Sequence, residues 1–334
     1  MKYCPECGTK IISQKFCHEC GCRIDKIADN ANTAQDEVLA PSFNFDSSFN
    51  FEEIKEENVS SADSFDFSSL NISESTDSHI VTDEAVDSGL VIEDGVLLEY
   101  TGKNMSVTIP STVRKIDDEA FYMNDYVEEV IVGTNVKEIG NDAFIEFKNL
   151  RMVSLPEGLK KIGMNAFAFN ERLTILSIPR SVTEIGENAF ENTGMSSVVI
   201  PKGVEIVSDE AFRICHNLQR VTVSEGVKTI GTNAFELCEN LTTINLPSTL
   251  RVIEHGAFAR TGISSINLPE GLLEIDSYVF FECVNLREIK IPKSVKRIEA
   301  NAFVGCKRLK KIYVPRSLNF EYEYSEIKSE IIYY

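Results

Sequence analysis

LRMVSLPEGLKKIGMNAFAFNE, residues 150–171, carries the pattern that decides the fold. Its phrase Ile-Gly-x-x-Ala-Phe, or a close variant, ends at Phe121, Phe144, Phe167, Phe190, Phe212, Phe235, Phe258, Phe280 and Phe303, in steps of 23, 23, 23, 22, 23, 23, 22 and 23 residues. Eight of these phenylalanines follow alanine and one follows Val279. Such self-similarity marks a stacked array, in which each unit buries its neighbour's apolar face. Within the quoted unit, Leu150, Val153 and Leu155 read as the inward side of a short strand. Pro156 ends it, because proline cannot donate to a ladder. Leu159 and Ile162 then point back inward, Gly163 reads as a sharp turn, and Ala166-Phe167 fills the centre. Eight of the ten prolines hold the strand-end position: Pro110, Pro156, Pro179, Pro201, Pro247, Pro269, Pro292 and Pro315. The expected fold is therefore mainly β, a solenoid of nine 22–23-residue repeats linked by short turns or 3-10 segments. At ~4.8 Å per rung it would extend on the order of 45 Å.

The units IPRSVTEIGENAF (178–190) and KIPKSVKRIEANAFVGCKRL (290–309) resemble the BspA-like leucine-rich repeats, and the resemblance runs over about residues 95–318. It implies a leucine-rich-repeat solenoid of a family that serves in protein recognition, several members as bacterial surface adhesins.

The ends read as caps. Val91 to Leu98 is a hairpin pattern with an Asp94-Gly95 turn, which places an N-terminal cap at 89–106 ahead of a solenoid at 107–318. In the 319–334 tail, Phe320, Tyr322 and Tyr324 alternate with polar residues as a closing strand would. The final Ile331-Ile332-Tyr333-Tyr334 fits either a cap or a partner patch.

Before the solenoid stand two segments of other kinds. In residues 1–27, Cys4-Pro5-Glu6-Cys7 and Cys17-His18-Glu19-Cys20 are two CxxC pairs, each followed by glycine. Two residues between thiols let a tight turn aim both sulfurs at one point, and two such turns form the tetrahedral cage that Zn²⁺ favours. One structural zinc on Cys4, Cys7, Cys17 and Cys20 is expected, with His18 and Cys22 as spectators and Cys22 as the alternative fourth ligand. So few residues cannot build an adequate core, so the metal would supply most of this module's folding free energy. The stretch resembles the short zinc ribbons at the N-terminus of many bacterial proteins.

Residues 28–88 hold 15 acidic side chains and one basic one, Lys55. Low hydrophobicity with high like charge reads as a disordered acidic linker. Its Phe43, Phe45, Phe49, Phe51, Phe65 and Phe67 recur in pairs on a Ser-rich background, the pattern of a short docking motif.

The formal net charge of −19 disfavours phosphate backbones and anionic membranes. The ribbon's Lys2, Lys10, Lys15, Arg23 and Lys26 keep a nucleic-acid-associated regulator as the third reading. No run approaches the ~18 apolar residues of a membrane helix. The first twenty residues lack a signal-peptide core, so a cytoplasmic protein is expected, with surface display by another route as the alternative.

Catalytic signatures are absent. None of His18, His79, His216 and His255 sits in a triad or HExxH spacing, and no GxSxG or nucleotide loop occurs. Cys215, Cys238, Cys283 and Cys306, each three residues after its phenylalanine, read as small buried hydrophobes. The expectation is a non-enzymatic, monomeric scaffold for an unidentified protein partner. Its binding face would be the outward strand column Thr108, Ile131, Ser154, Ser177, Val199, Thr222, Asn245, Asn267, Lys290 and Tyr313. Character concentrates at the C-terminal rungs, in Arg287, Glu288, Lys290, Lys310, Lys311 and Tyr313. A second column, Arg114, Lys137, Lys160, Lys228, Arg251 and Lys296, is basic in six of nine rungs.

Overall fold

The computed structural model describes residues 89–122, 124–299, 301–318 and 329–334, within the second of the chain's two units, Asp83–Tyr334. The four zinc-type cysteines, the acidic linker with its paired phenylalanines, and the Phe320-Tyr322-Tyr324 run lie outside the described residues.

A hairpin opens the array. Strands β1 (Leu90–Glu93) and β2 (Val96–Tyr100) pair antiparallel. Asp94 and Gly95 both take positive φ, 48° and 75°, as a two-residue primed turn requires. From β2 onward the pairing is parallel, with each rung contributing up to two strands. One ladder is built of two-residue strands: β4 (Lys115–Ile116), β6 (Glu138–Ile139), β8 (Lys161–Ile162) and β10 (Glu184–Ile185) follow β2 in one sheet. It resumes as β12 (Ile206–Val207), β14 (Thr229–Ile230), β16 (Val252–Ile253), β17 (Glu274–Ile275) and β19 (Arg297–Ile298).

The longer strands form the other ladder, in three sheets. The first holds β3 (Ser106–Thr108), β5 (Glu129–Ile131), β7 (Met152–Ser154) and β9 (Ile175–Leu176). The second holds β11 (Ser197–Ile200), β13 (Arg220–Val223) and β15 (Thr243–Asn245), and the third β18 (Glu288–Lys290), β20 (Lys311–Val314) and β21 (Glu330–Tyr333). The last strand of this sheet, β21, pairs parallel with β20 from Lys311↔Glu330 to Val314↔Tyr333.

All nine repeat phenylalanines are fully buried. Their rings continue from Tyr100 into one column, with neighbouring centroids 4.8–6.0 Å apart from Phe121 to Phe303. Each ring covers the next, so the core is repeated contact between rungs rather than anything a rung holds alone.

Two residues per rung make the phenylalanine turn possible. Around the seven phenylalanines from Phe144 to Phe280, the residues two before and two after take left-handed φ, for example 52° at Asn165 and 60° at Phe169. Asn, Asp and Gly tolerate this best. Those positions interrupt any run of helical dihedrals, so the connections are turns, and no helix, 3-10 included, occurs among the described residues. Gly163 is not one of them. It is needed because a Cβ there would meet the Gly140 carbonyl carbon at 2.6 Å. Each of the eight strand-end prolines accepts on its carbonyl the N–H three residues on, as Pro156 does from Leu159 at 3.0 Å, and Gly133 and Ser224 do the same where proline is missing. Leu155, expected inward, is half-buried against the core.

The two 22-residue steps, Phe190 to Phe212 and Phe258 to Phe280, lose their residue between Phe and strand. Each there carries Thr-Gly, Thr193-Gly194 and Thr261-Gly262. A Cβ on Gly194 would lie 2.4 Å from Glu171 O, and one on Gly262 would lie 2.3 Å from Glu239 O, so only glycine lets the shortened loop settle on the rung beneath. The long-strand ladder breaks at both steps, between β9 and β11 and between β15 and β18. The backbone bond Phe190 N–H to Ala211 O (2.9 Å) and its counterpart Phe258 N–H to Val279 O (3.0 Å) bridge them.

Candidate protein-interaction face

The outward positions of the long strands form two columns. In the first, Ser106, Glu129, Met152 and Ile175 align; in the second, Thr108, Ile131 and Ser154. Side chains alternate across a strand, so Val107, Val130 and Val153 between them are buried while Thr108, Ile131 and Ser154 are exposed. The face is small and polar along most of its length. Ile131, Ile175 and Val199 are exceptions, at 43%, 60% and 58% exposed, and the last two flank the first ladder break.

At the C-terminal end, Arg287, Glu288, Lys290, Lys310 and Lys311 are exposed, while Tyr313 is half-buried. In register, Glu288 stands beside Lys311 and Lys311 beside Glu330, an alternating charge row. Tyr313 pairs with Ile332 of β21. The Lys290 ammonium sits 4.8 Å from the centre of the Tyr334 ring and that of Lys293 at 5.7 Å, while the Tyr334 hydroxyl donates to Ile291 O at 2.7 Å. Part of this expected docking area is therefore already covered by the chain's own last strand. The basic column Arg114, Lys137, Lys160, Lys228, Arg251 and Lys296 is exposed throughout.

The position three after each phenylalanine has a role that the sequence reading missed. Cys215, Cys238, Cys283 and Cys306 are buried free thiols, as expected. They are also donors: each thiol reaches the carbonyl of the preceding rung's phenylalanine, at 3.0–3.1 Å. Asn170 fills the same slot with more bonds. Its amide donates to Phe144 O and Phe167 O, and its carbonyl accepts from Phe147 N–H, all within 2.9 Å. Thr193 and Thr261 donate to the phenylalanine carbonyl of their own rung. Except at Phe147, the slot holds a small side chain able to donate, a signal that the cysteines hide by resembling hydrophobes. Burial pushes the Cys283 thiol up to about 11 and raises Cys306 further, opposite to an activated nucleophile.

Other polar groups are also structural in arrangement. Arg213 spans three rungs, bonding Glu191 at 2.8 Å and Glu236 at 3.0 Å, with Glu191 only 4% exposed. The one close Ser–His contact among the described residues is His255 Nδ1 to Ser277 Oγ, 2.8 Å. Neighbouring Asp276 accepts from the Ser277 N–H instead of orienting the imidazole, so no triad forms. Among the described residues no group of three or more His, Cys, Asp or Glu side chains is placed to hold a metal. No helix among them is long and apolar enough to cross a membrane.

A continuous aromatic core, period-23 rungs and parallel ladders define a leucine-rich-repeat solenoid. The chain matches the BspA type leucine rich repeat region over residues 96–219 and 205–325, and it belongs to that family. No curated protein matches it. Among solved structures, a leucine-rich repeat protein from Bacteroides ovatus aligns with TM-score 0.51 at 23% identity, covering 74% of this chain and 73% of that one. The T. pallidum leucine rich repeat protein gives TM-score 0.47 at 28% identity over 57% of this chain and 82% of its own. A leucine rich cell surface protein from Faecalibacterium prausnitzii gives 0.37 at 26% identity over 62% and 78%.

Proposed function

We propose that this chain is a non-catalytic, monomeric scaffold that binds a partner protein on the long-strand face of its solenoid. The observation that carries this reading is that face itself: two exposed side-chain columns on parallel strands, with nucleophile-type groups either buried, like the four thiols, or without a completed relay, like Ser277. A photo-crosslinking residue at Ser154, Ser177 or Thr222 is expected to trap one partner, and the same residue at Lys160 or Thr183 to trap none. Equal trapping on both sides would reject the assignment. At the C-terminal rungs, charge reversal of Lys290 and Lys311 that left partner binding unchanged would remove Arg287, Glu288, Lys310 and Tyr313 from the face as well.

The N-terminal module is read as a zinc ribbon on Cys4, Cys7, Cys17 and Cys20, a structural metal site supported by the paired CxxC spacing. Metal analysis should return one zinc per chain, lost with Cys17→Ser and Cys20→Ser. Zinc retained by that double variant would place the metal elsewhere. DNA binding by the intact chain, weakening with salt, would instead favour the nucleic-acid reading of the ribbon.

The compartment proposed is the cytoplasm, supported by thiols that are free and by cysteine pairs suited to metal rather than to disulfides. Protease applied to intact cells should leave the acidic linker uncut until lysis. Cleavage within residues 28–88 on intact cells would establish the surface-adhesin alternative.

A further inference from the structure

The third long-strand sheet ends on a strand that differs from those before it. β18 and β20 bury Ile289 and Ile312, whereas no residue of β21 is fully buried: Ile331 and Ile332 are half-buried and Tyr333 is 48% exposed. β21 is held by one half-buried side chain that packs against the core, Ile331, together with backbone and polar bonds. Glu330 N–H donates to Lys310 O (2.8 Å), Tyr334 N–H to Val314 O (3.0 Å) and Ser329 Oγ to Leu309 O (2.6 Å). Its charge and aromatic contacts run back to the earlier rungs, Glu330 beside Lys311 and the Tyr334 ring under Lys290 and Lys293. A strand with little apolar burial opens at low free-energy cost. The edge it would leave on β20 is a row of backbone groups with side-chain recognition on one flank, the arrangement that accepts an added strand.

We propose that the β20 edge is a binding site for an extended, parallel segment of a partner protein, and that β21 is its in-chain stand-in. Complementarity specifies the partner segment: a carboxylate opposite Lys311, two aliphatic residues after it at the places of Ile331 and Ile332, and an aromatic ring over Lys290 and Lys293. The proposal rests on the scaffold reading and adds where and how the partner sits. Binding therefore means displacing β21, which is tethered at a high effective concentration, in the millimolar range for a short connection.

The test uses the full chain and a labelled peptide of its own sequence, Ser-Glu-Ile-Ile-Tyr-Tyr, followed by fluorescence anisotropy. Wild type should bind peptide weakly at about 100 μM, well below the tether's effective concentration. Ile331→Asp, which unseats β21, should bind at least about tenfold tighter, and adding Lys311→Glu should abolish the gain. No binding by a folded Ile331→Asp variant, or binding indifferent to Lys311→Glu, overturns the proposal. Should Ile331→Asp fail to fold, hydrogen exchange of wild type decides: amides of Glu330–Tyr333 as slow as those of Glu288–Lys290 overturn it, and much faster exchange supports it. A dimer that grows with concentration and disappears in Ile331→Asp identifies a second copy as the occupant and also overturns it. None of these outcomes alters the crosslinking result at Ser154, Ser177 and Thr222, so the two readings fail separately.

Discussion

Phe235 and Phe258, from adjacent rungs, lie 5.7 Å apart between ring centroids and 9° from parallel, and neither ring is exposed to solvent. On its other side Phe235 stacks on Phe212 at 5.5 Å. Removing this ring takes contacts from three rungs at once, and a stack of repeats cannot collapse around the hole without moving its ladders. Phe235→Ala should destabilise the solenoid by about 3–5 kcal/mol, measured as a lowered denaturant midpoint. A loss under ~1 kcal/mol would show that the ring column is not the core.

Asn170 should prove costlier to remove than its size suggests. Replacing it by leucine keeps the volume but strands two carbonyls and one N–H in a dry interior. Asn170→Leu is expected to lose about 1–3 kcal/mol in the same melts. A neutral or stabilising result would mean that water reaches those groups.

Gly262→Ala tests the short rungs. The added methyl must displace Glu239 O, backbone that cannot swing aside, and overpacking of this kind costs about 1–3 kcal/mol. Gly158→Ala is the control, since the closest atom there is the mobile Lys137 ammonium. Equal effects at both sites would refute a special role for the Thr-Gly loop.

The buried Cys283 thiol sets an alkaline limit. Cys283 has its folded pKa raised from 9.0 to about 11 by burial. Its contribution to stability is complete below about pH 9 and declines as pH rises through about 11, because the unfolded chain releases the proton first. The slope is at most about 1.4 kcal/mol per pH unit for one thiol. Cys283→Ser, which does not titrate there, should flatten that part of the curve; an unchanged curve sinks the prediction.

Much of the solenoid is visible in the sequence because its rule is repetition. Phe every 22 or 23 residues and Pro at eight strand ends specify rung, strand and core without reference to any distant contact. What escapes is whatever depends on a neighbouring rung's backbone. The donor role of Cys238 requires knowing that Phe212 O faces it, and the need for Gly163 requires knowing that Gly140 lies beneath. The last strand escapes for another reason. Glu330–Tyr333 carries no repeat phrase, so nothing in its pattern announced that Ile332 would lie beside Tyr313 in the third long-strand sheet. The proposed zinc cysteines lie outside the described residues, and their reading stands on spacing alone.

The two interrupted places in the long-strand ladder also have a mechanical meaning. Phe190 N–H to Ala211 O and Phe258 N–H to Val279 O carry the chain across both, with their rings stacked at 5.3 and 6.0 Å, while the long strands on either side do not join. The two-residue ladder is also interrupted at the first place, between β10 and β12, but runs on through β16, β17 and β19 at the second. Pulled from its ends in an optical trap, the array should therefore part first near Thr193-Gly194, where both ladders stop, and only later near Thr261-Gly262, instead of shedding rungs singly.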